Sequence, residues 1–228
     1  MNKNEIVRNL LEELSSESRD LLGSIQRIKC PDSLEFFREY VSPCRPVVFT
    51  NLCKCWPAMK KWNYSYLKSK VGSKQVQIAV TPDGWADSVQ NDIFQLPEER
   101  MMDFSKFIEI MEAKNSDGEE IFYLQRQNGC LTSDYPELIS DVPKEIGFVS
   151  KALNKQPDAI NLWIGGSKSI SSLHRDPYEN IYSVIKGKKI FKLFPPTDRG
   201  WFLRSLHINR YIRLIEKPYK RFHKIRKV

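Results

Sequence analysis

His174 and Asp176 are the two residues of this sequence whose types and spacing best suit metal chemistry. Residues two apart in a β-strand project to the same face, so an imidazole and a carboxylate would point at one place. Two histidines and one carboxylate are the ligands of non-haem Fe(II) oxygenases, in which the other coordination positions stay open. The pair therefore predicts two thirds of such an iron site. The tripeptide alone also fits an exposed strand with ordinary polar residues, and without its surroundings that reading is favoured.

The sequence around this pair, residues 161–196, changes this preference. Its informative positions are Asn161, Trp163, Gly165, Ser171, His174, Asp176, Asn180, Gly187, Lys189, Phe191, Leu193, Pro195 and Pro196. In residue type and spacing these positions resemble the JmjC hydroxylases. Loop 81–89 and segment 45–62 are further similar to one branch of that family, the intracellular lysyl hydroxylases that are also described as endopeptidases.

The resemblance implies an Fe(II)- and 2-oxoglutarate-dependent oxygenase that uses O₂ to hydroxylate a protein substrate, on lysine. It assigns His174 and Asp176 to the iron, and it assigns four residues to the cofactor: Tyr123, Ser171, Asn180 and Lys189. A dicarboxylate inside an apolar barrel needs a buried cation and hydroxyl donors, as Lys189 and Tyr123 would supply. Two other interpretations stay open, in which Lys189 is a solvated charge beside a turn and Tyr123 is a core aromatic.

The family's third iron ligand is a histidine far downstream, preceded by Pro-x-x-Trp. Only His207 and His223 follow Asp176, and neither has that context. His207 comes too soon after His174 for four more strands. We therefore expect similarity to end near Gly200, with the second half of the barrel missing from a truncated chain. The alternative function is an inactive JmjC-like interaction module that lacks the third ligand.

Four closely spaced segments predict the strands that hold this site: 158–165, 170–176, 179–185 and 189–194. Short strands with alternating faces are typical of a double-stranded β-helix, the cupin-like jelly roll. Upstream, the patterns predict helices at 4–22, 33–40 (capped by Asp32), 64–71, 103–111 (capped by Asp103) and 143–154, and strands at 45–50, 74–80 and 120–125. The predicted fold class is α+β, with an α/β N-terminal extension at 1–157, core strands at 158–199 and a divergent basic tail at 200–228.

The net charge of +8 belongs to the end of the sequence. Residues 201–228 hold nine of the 36 Lys and Arg and one of the 28 Asp and Glu, which accounts for the whole excess. This argues against nucleic acid as the partner of the main domain. No run approaches the roughly 18 apolar residues of a membrane helix. The polar N-terminus and the uneven set of five cysteines predict a cytoplasmic protein, with the nucleus as a second location. The sequence leaves a homodimer open.

Overall fold

The computed structural model describes residues 3–90, 93–113 and 120–198. Its α-helices in these ranges are α1 (Lys3–Leu22), α2 (Ser33–Phe36), α3 (Pro57–Lys61), α4 (Tyr64–Val71), α5 (Phe104–Glu112), α6 (Cys130–Ser133) and α7 (Gly147–Leu153). A π-helical turn, Phe37–Val41, continues α2, and 3₁₀ turns lie at Pro136–Asp141 and Pro196–Asp198. No described helix combines the length and the apolar character needed to cross a bilayer.

The described strands form one central sheet and three small pairs. They are β1 (Gln26–Ile28), β2 (Val47–Phe49), β3 (Gln75–Thr81), β4 (Trp85–Ala86), β5 (Ser88–Gln90), β6 (Ile93–Gln95), β7 (Glu98–Asp103), β8 (Ile121–Leu124), β9 (Ile164–Gly165) and β10 (Ile170–Ser171). The central sheet has the order β7-β3-β8-β9 and is antiparallel throughout. Strands β1 and β2 pair in parallel, as do β4 and β10, whereas β5 and β6 form an antiparallel hairpin. This mixture of helices and sheets agrees with the predicted α+β class.

The core lies between the central sheet and helices α4 and α5. Val76, Ile78 and Val80 alternate along β3 and are all buried, as the sequence pattern predicts. Phe104, Phe107 and Ile108 of α5 pack against them and are fully buried. The predicted helix and strand thus share one hydrophobic cluster, which fixes the sheet that carries Tyr123.

The predicted helix caps have different outcomes. The Asp32 carboxylate accepts hydrogen bonds from the backbone N–H groups of Leu34 and Glu35, at 2.8 and 2.9 Å, which confirms it as the N-cap of α2. The prediction for Asp103 is wrong in its bonding, since no side-chain cap bond forms at α5. The Asp103 carboxylate instead accepts from the Gln75 amide, directly opposite it in the β3–β7 register. The helix predicted at 143–154 begins only at Gly147.

The four strands predicted for the site are mostly wrong in extent. Of 158–165 only Ile164–Gly165 is a strand, and of 170–176 only Ile170–Ser171. Segments 179–185 and 189–194 form no regular strand, although Gly187 between them has the positive φ of a tight turn, +81°. An isolated hairpin is marginal in water unless another layer covers it. Ile185 packs against the core, but within the described residues no layer covers the side that holds Ile190 and Leu193, which stay 84% and 58% exposed.

A buried carboxylate ties three elements together next to the core. Asp141, which is 0% exposed, accepts hydrogen bonds from Lys61 Nζ at 2.7 Å, Trp62 Nε1 at 3.0 Å and Tyr66 Oη at 2.7 Å. Burial alone would raise the pKa of this carboxyl, but the donors from Lys61, Tyr66 and Trp62 together hold it below its ordinary value. The same contacts raise the pKa of Lys61 and of Tyr66. Asp141 therefore joins α3 and α4 to the 3₁₀ turn that it ends.

Candidate iron and cofactor site

Two short strand pairings position the segment that precedes His174. Gly165 of β9 lies opposite Tyr123 of β8, and a Cβ on this glycine would come within 2.6 Å of the tyrosine ring. Glycine is therefore required for the close approach of this strand. Further along, Ile170 and Ser171 of β10 pair with Trp85 and Ala86 of β4. The chain thus approaches His174 already attached to two elements of the N-terminal part.

Ser172 fastens this segment more tightly than the ladder alone. Its hydroxyl lies 2.7 Å from the Ala86 carbonyl and 2.5 Å from the Asp87 carbonyl, so it donates to the β4 loop. Its own carbonyl oxygen lies 2.7 Å from His174 Nδ1. Ser172 and the 85–87 loop were not among the sequence-predicted site residues. The signal that could have pointed to Ser172 is its position two residues before the histidine.

His174, Asp176 and Asn180 form one cluster. His174 Nε2 lies 3.8 Å from Asp176 Oδ2, and Asn180 Nδ2 donates to the same oxygen at 3.0 Å. The imidazole and the carboxylate are about half exposed, at 42% and 47%. Three of the six predicted site residues are therefore brought together by direct contacts, although the segment between them is not the strand that was expected.

The arrangement of this cluster suits a divalent metal ion. If Nδ1 of His174 donates to the Ser172 carbonyl, Nε2 keeps its lone pair on the side of Asp176. Metal bonds to imidazole and carboxylate of about 2.0–2.2 Å, the values for zinc, would span a gap of this size with one ion. Within the described ranges, no group of three or more His, Cys, Asp or Glu side chains is placed to hold a metal. His207 and His223 lie outside the described residues.

Asp87 adds a second carboxyl near the imidazole. Burial raises the pKa of Asp87, a protonated His174 would oppose that rise, and Glu99 adds to it. The backbone of Asp87 has a positive φ of 57°, which is uncommon for a residue other than glycine. The loop thus presents its carbonyl to Ser172 and its side chain toward the surroundings of His174.

Lys189 and Tyr123 form the second group of predicted residues. The Lys189 ammonium lies 5.4 Å from the centroid of the Tyr123 ring, within cation–π range, and Tyr123 is 8% exposed on β8. Lys189 is half-buried, whereas its neighbour Lys188 is exposed. The lysine therefore turns toward the sheet, and its assignment to the cofactor stays a prediction.

A cluster of three aromatic side chains lies near this lysine–tyrosine pair. Tyr182 stacks on Trp163 at 5.3 Å and meets Phe191 edge-on at 4.9 Å. Burial, with a smaller contribution from Tyr123, raises the pKa of Tyr182 to about 12. Tyr182 was not predicted as a site residue. Ser171, which was, lies exposed on β10 three residues before His174.

Comparison with known proteins places this chain in a family. The family model of the cupin-like domain matches residues 33–221, so the expectation that similarity ends near Gly200 is wrong. The bifunctional peptidase and (3S)-lysyl hydroxylase JMJD7 of Homo sapiens is 38% identical over 216 residues, covering 93% of this chain and 68% of the human protein. This chain belongs to the cupin-like JmjC family of 2-oxoglutarate-dependent oxygenases.

Other JmjC relatives agree. JmjC domain-containing protein E of Dictyostelium discoideum is 37% identical, over 86% of this chain and 60% of its own length. The lysine-specific demethylase JMJ32 of Arabidopsis thaliana is 35% identical, over 88% of this chain and 59% of its own length. The chain thus spans about 60–70% of the length of these relatives. Membership of the cupin-like family implies the jelly-roll architecture that the sequence predicts.

Proposed function

We propose that this chain carries iron- and 2-oxoglutarate-binding residues of a protein lysyl hydroxylase. The observation that supports this most is the His174–Asp176 pair, with the imidazole Nδ1 beside the Ser172 carbonyl and Nε2 facing the carboxylate. This is the arrangement that two protein ligands of one metal ion require. Its position in the matched cupin-like segment adds the expectation of Fe(II).

In and next to the cluster, two residues would bind the metal directly and two would position them. His174 Nε2 and the Asp176 carboxylate would hold Fe(II), which with 2-oxoglutarate bound supplies the activation of O₂. Asn180 donates to Asp176 Oδ2 and so fixes the orientation of the carboxylate. The Ser172 hydroxyl holds the backbone before His174 against the carbonyls of Ala86 and Asp87. This contact would fix the position from which the imidazole reaches the metal.

The second group would bind the acidic end of the cofactor. A carboxylate pairs strongly with an ammonium group that is partly removed from water. Lys189 beside Tyr123 offers such a group, because the lysine is half-buried and its ammonium lies over the tyrosine ring. Ser171 remains a proposed hydroxyl donor to the same cofactor.

The proposed substrate is a lysine side chain of a protein. Lysine occurs in the names of both the human hydroxylase and the Arabidopsis demethylase, so the residue type is the shared element. Hydroxylation is favoured over demethylation by the higher identity to the human protein. A peptidase activity, a homodimer and a cytoplasmic or nuclear location remain further proposals.

Iron-dependent release of succinate tests the proposed function. The purified chain is incubated with 2-oxoglutarate, O₂ and lysine-containing proteins, with and without Fe(II), and succinate and hydroxylysine are measured. We expect succinate only when Fe(II) is present. A folded chain that releases none and binds neither iron nor 2-oxoglutarate would favour the interaction module instead.

Substituting Lys189 should affect the keto acid far more than the metal. For Lys189→Ala we expect the 2-oxoglutarate dissociation constant to rise at least about tenfold, since a charge-assisted hydrogen bond is worth about 1.5–3 kcal/mol. The affinity for Fe(II) should stay within about twofold, because the ammonium does not contact the His174 cluster. Isothermal titration calorimetry with Fe(II) and with 2-oxoglutarate gives the two dissociation constants.

Lys188→Ala is the matched control, since this neighbouring lysine is exposed and the net charge changes equally. It should leave both constants unchanged. Equal weakening of iron and 2-oxoglutarate in Lys189→Ala would contradict the assignment of Lys189 to the carboxylate.

Removal of the Ser172 hydroxyl should loosen the backbone segment that positions His174. For Ser172→Ala we expect metal affinity to fall about tenfold, the lower end of the range for groups that orient a ligand. Ser172→Thr keeps a hydroxyl and should restore most of the loss. Binding of Co(II), followed by its absorption spectrum, measures the affinity without any turnover. Equal affinity in all three proteins would show that the contact with Ala86 and Asp87 does not position the imidazole.

A further inference from the structure

Helix α1 leaves its apolar stripe open to solvent. The side chains at i, i+4 and i+8 and their neighbours are between 38% and 75% exposed: Ile6, Val7, Leu10, Leu11, Leu14 and Leu21. The sequence predicts an amphipathic helix here, and such a stripe normally packs on a core. In the described part of the chain it does not.

The contact that fixes α1 is polar and lies on another side of the helix. Ser15, which is 1% exposed, hydrogen-bonds to Asp198, and Arg19 Nη2 donates to Asp198 Oδ1 at 2.9 Å. At 3.6 residues per turn, Ser15 and Arg19 face well away from the line through Ile6, Leu10 and Leu14. The helix is thus anchored through its hydroxyl and guanidinium groups while the apolar stripe remains free for another occupant.

The chain that follows Asp198 has the composition such an occupant needs. Residues 201–215 contain nine large apolar residues: Trp201, Phe202, Leu203, Leu206, Ile208, Tyr211, Ile212, Leu214 and Ile215. They also contain three arginines and no acid, whereas α1 holds five acidic and three basic residues. The two segments therefore carry opposite net charge, and each has large apolar side chains that could pack against the other.

The chain after Asp198 is long enough to reach the apolar stripe of α1. The segment begins three residues after Asp198, which is itself bonded to the middle of α1. From Asp198 to Leu206 an extended chain reaches about 26 Å, at about 3.3 Å per residue. From Ser15 back to Ile6 the helix covers only about 14 Å, at 1.5 Å per residue.

We propose that residues 201–215 bind along the apolar stripe of α1, with Arg204, Arg210 and Arg213 facing its acidic residues. This surface is independent of the iron site and holds the basic end of the chain against the N-terminal helix. The occupant is a segment of the same chain rather than a second copy, because Asp198 places it next to the helix at high effective concentration.

Hydrogen exchange in the full chain tests this contact. The variant Trp201→Ser/Leu206→Ser/Ile212→Ser should speed exchange of amides in α1 at least about tenfold, because three large apolar groups would no longer be buried on it. The control Tyr219→Ser/Phe222→Ser/Ile225→Ser removes the same kind of residue outside the proposed segment. It should leave α1 exchange unchanged, and amides of β3 should exchange equally in all three proteins.

A reciprocal variant guards against misfolding of the first. Leu10→Ser/Leu14→Ser should speed exchange in 201–215 while the β3 amides stay protected. Unprotected α1 amides in the unmodified chain, or equal effects of the two triple variants, would overturn the proposal. Protection of α1 that rises with protein concentration would also overturn it, since a second copy would then cover the stripe.

Discussion

His174→Ala and Asp176→Ala should each weaken the binding of Fe(II) at least about 100-fold. Loss of a group that only orients a ligand costs about 10–100-fold in metal affinity, so loss of a ligand itself should exceed that range. The domain should remain folded, because both side chains are about half exposed and take no part in the core. Any iron-dependent succinate release should disappear with the metal.

The measurement is a titration with Fe(II) under anaerobic conditions, or with Co(II), alongside thermal unfolding of each variant. Arg175→Ala serves as the control, because it lies between the two residues and is also exposed. It should bind metal as the unmodified chain does. Unchanged affinity in either His174→Ala or Asp176→Ala would remove that residue from the site.

Asp141→Ala should lower the free energy of unfolding by about 3 kcal/mol. The substitution leaves the buried Trp62 N–H and the Tyr66 hydroxyl without their acceptor and deprives Lys61 of its partner. Removing one member of a buried charged pair costs about 3–5 kcal/mol, and we take the lower end because Lys61 is half exposed. Urea unfolding, followed by fluorescence of the tryptophans, gives the value.

Asp158→Ala is the matched control, since Asp158 pairs with Lys155 at the surface, with both side chains about half exposed or more. Exposed pairs contribute at most about 1 kcal/mol, so this variant should be nearly neutral. Similar losses in the two variants would mean that burial of Asp141 does not matter.

The Asp141 carboxyl also sets a dependence on pH. Its pKa in the folded chain is lower than the ordinary value of 3.8, so the folded state favours the ionised form. Its stabilisation is therefore fully present above the unfolded pKa and is lost as the pH falls through the folded pKa. Below about pH 4 the stability of the unmodified chain should fall more steeply than that of Asp141→Ala.

The N-terminal part of the fold could be predicted because its patterns are local. The alternation of Val76, Ile78 and Val80 and the spacing of Phe104, Phe107 and Ile108 each describe one element against one core. Strand β7 was missed because Glu98, Glu99 and Arg100 do not alternate with apolar residues. Asp103 is the N-cap residue of α5, as predicted, but it forms no side-chain cap bond. A cross-strand glutamine binds its carboxylate instead, which the sequence around α5 does not reveal.

The sequence predicts the candidate metal and cofactor residues, but not the contacts that hold them in position. Resemblance to a family pointed to His174, Asp176 and Lys189, and the spacing of two residues gave a physical reason for the first pair. The contact of Ser172 with Ala86 and Asp87 joins positions 85 and 86 residues apart, so no local pattern could indicate it. The strands after Ser171 were overextended because alternation predicts a strand only where a partner and a covering layer exist.

The pairings around His174 have a consequence for the order of folding during synthesis. Strands β4 and β8, and the carbonyls of Ala86 and Asp87, all precede the segment that pairs with them. When this segment leaves the ribosome, strands β4 and β8 have already been translated, and folding during synthesis begins on the N-terminal side. The segment that holds His174 and Asp176 can therefore dock on β4 and β8 before Lys189 has left the ribosome.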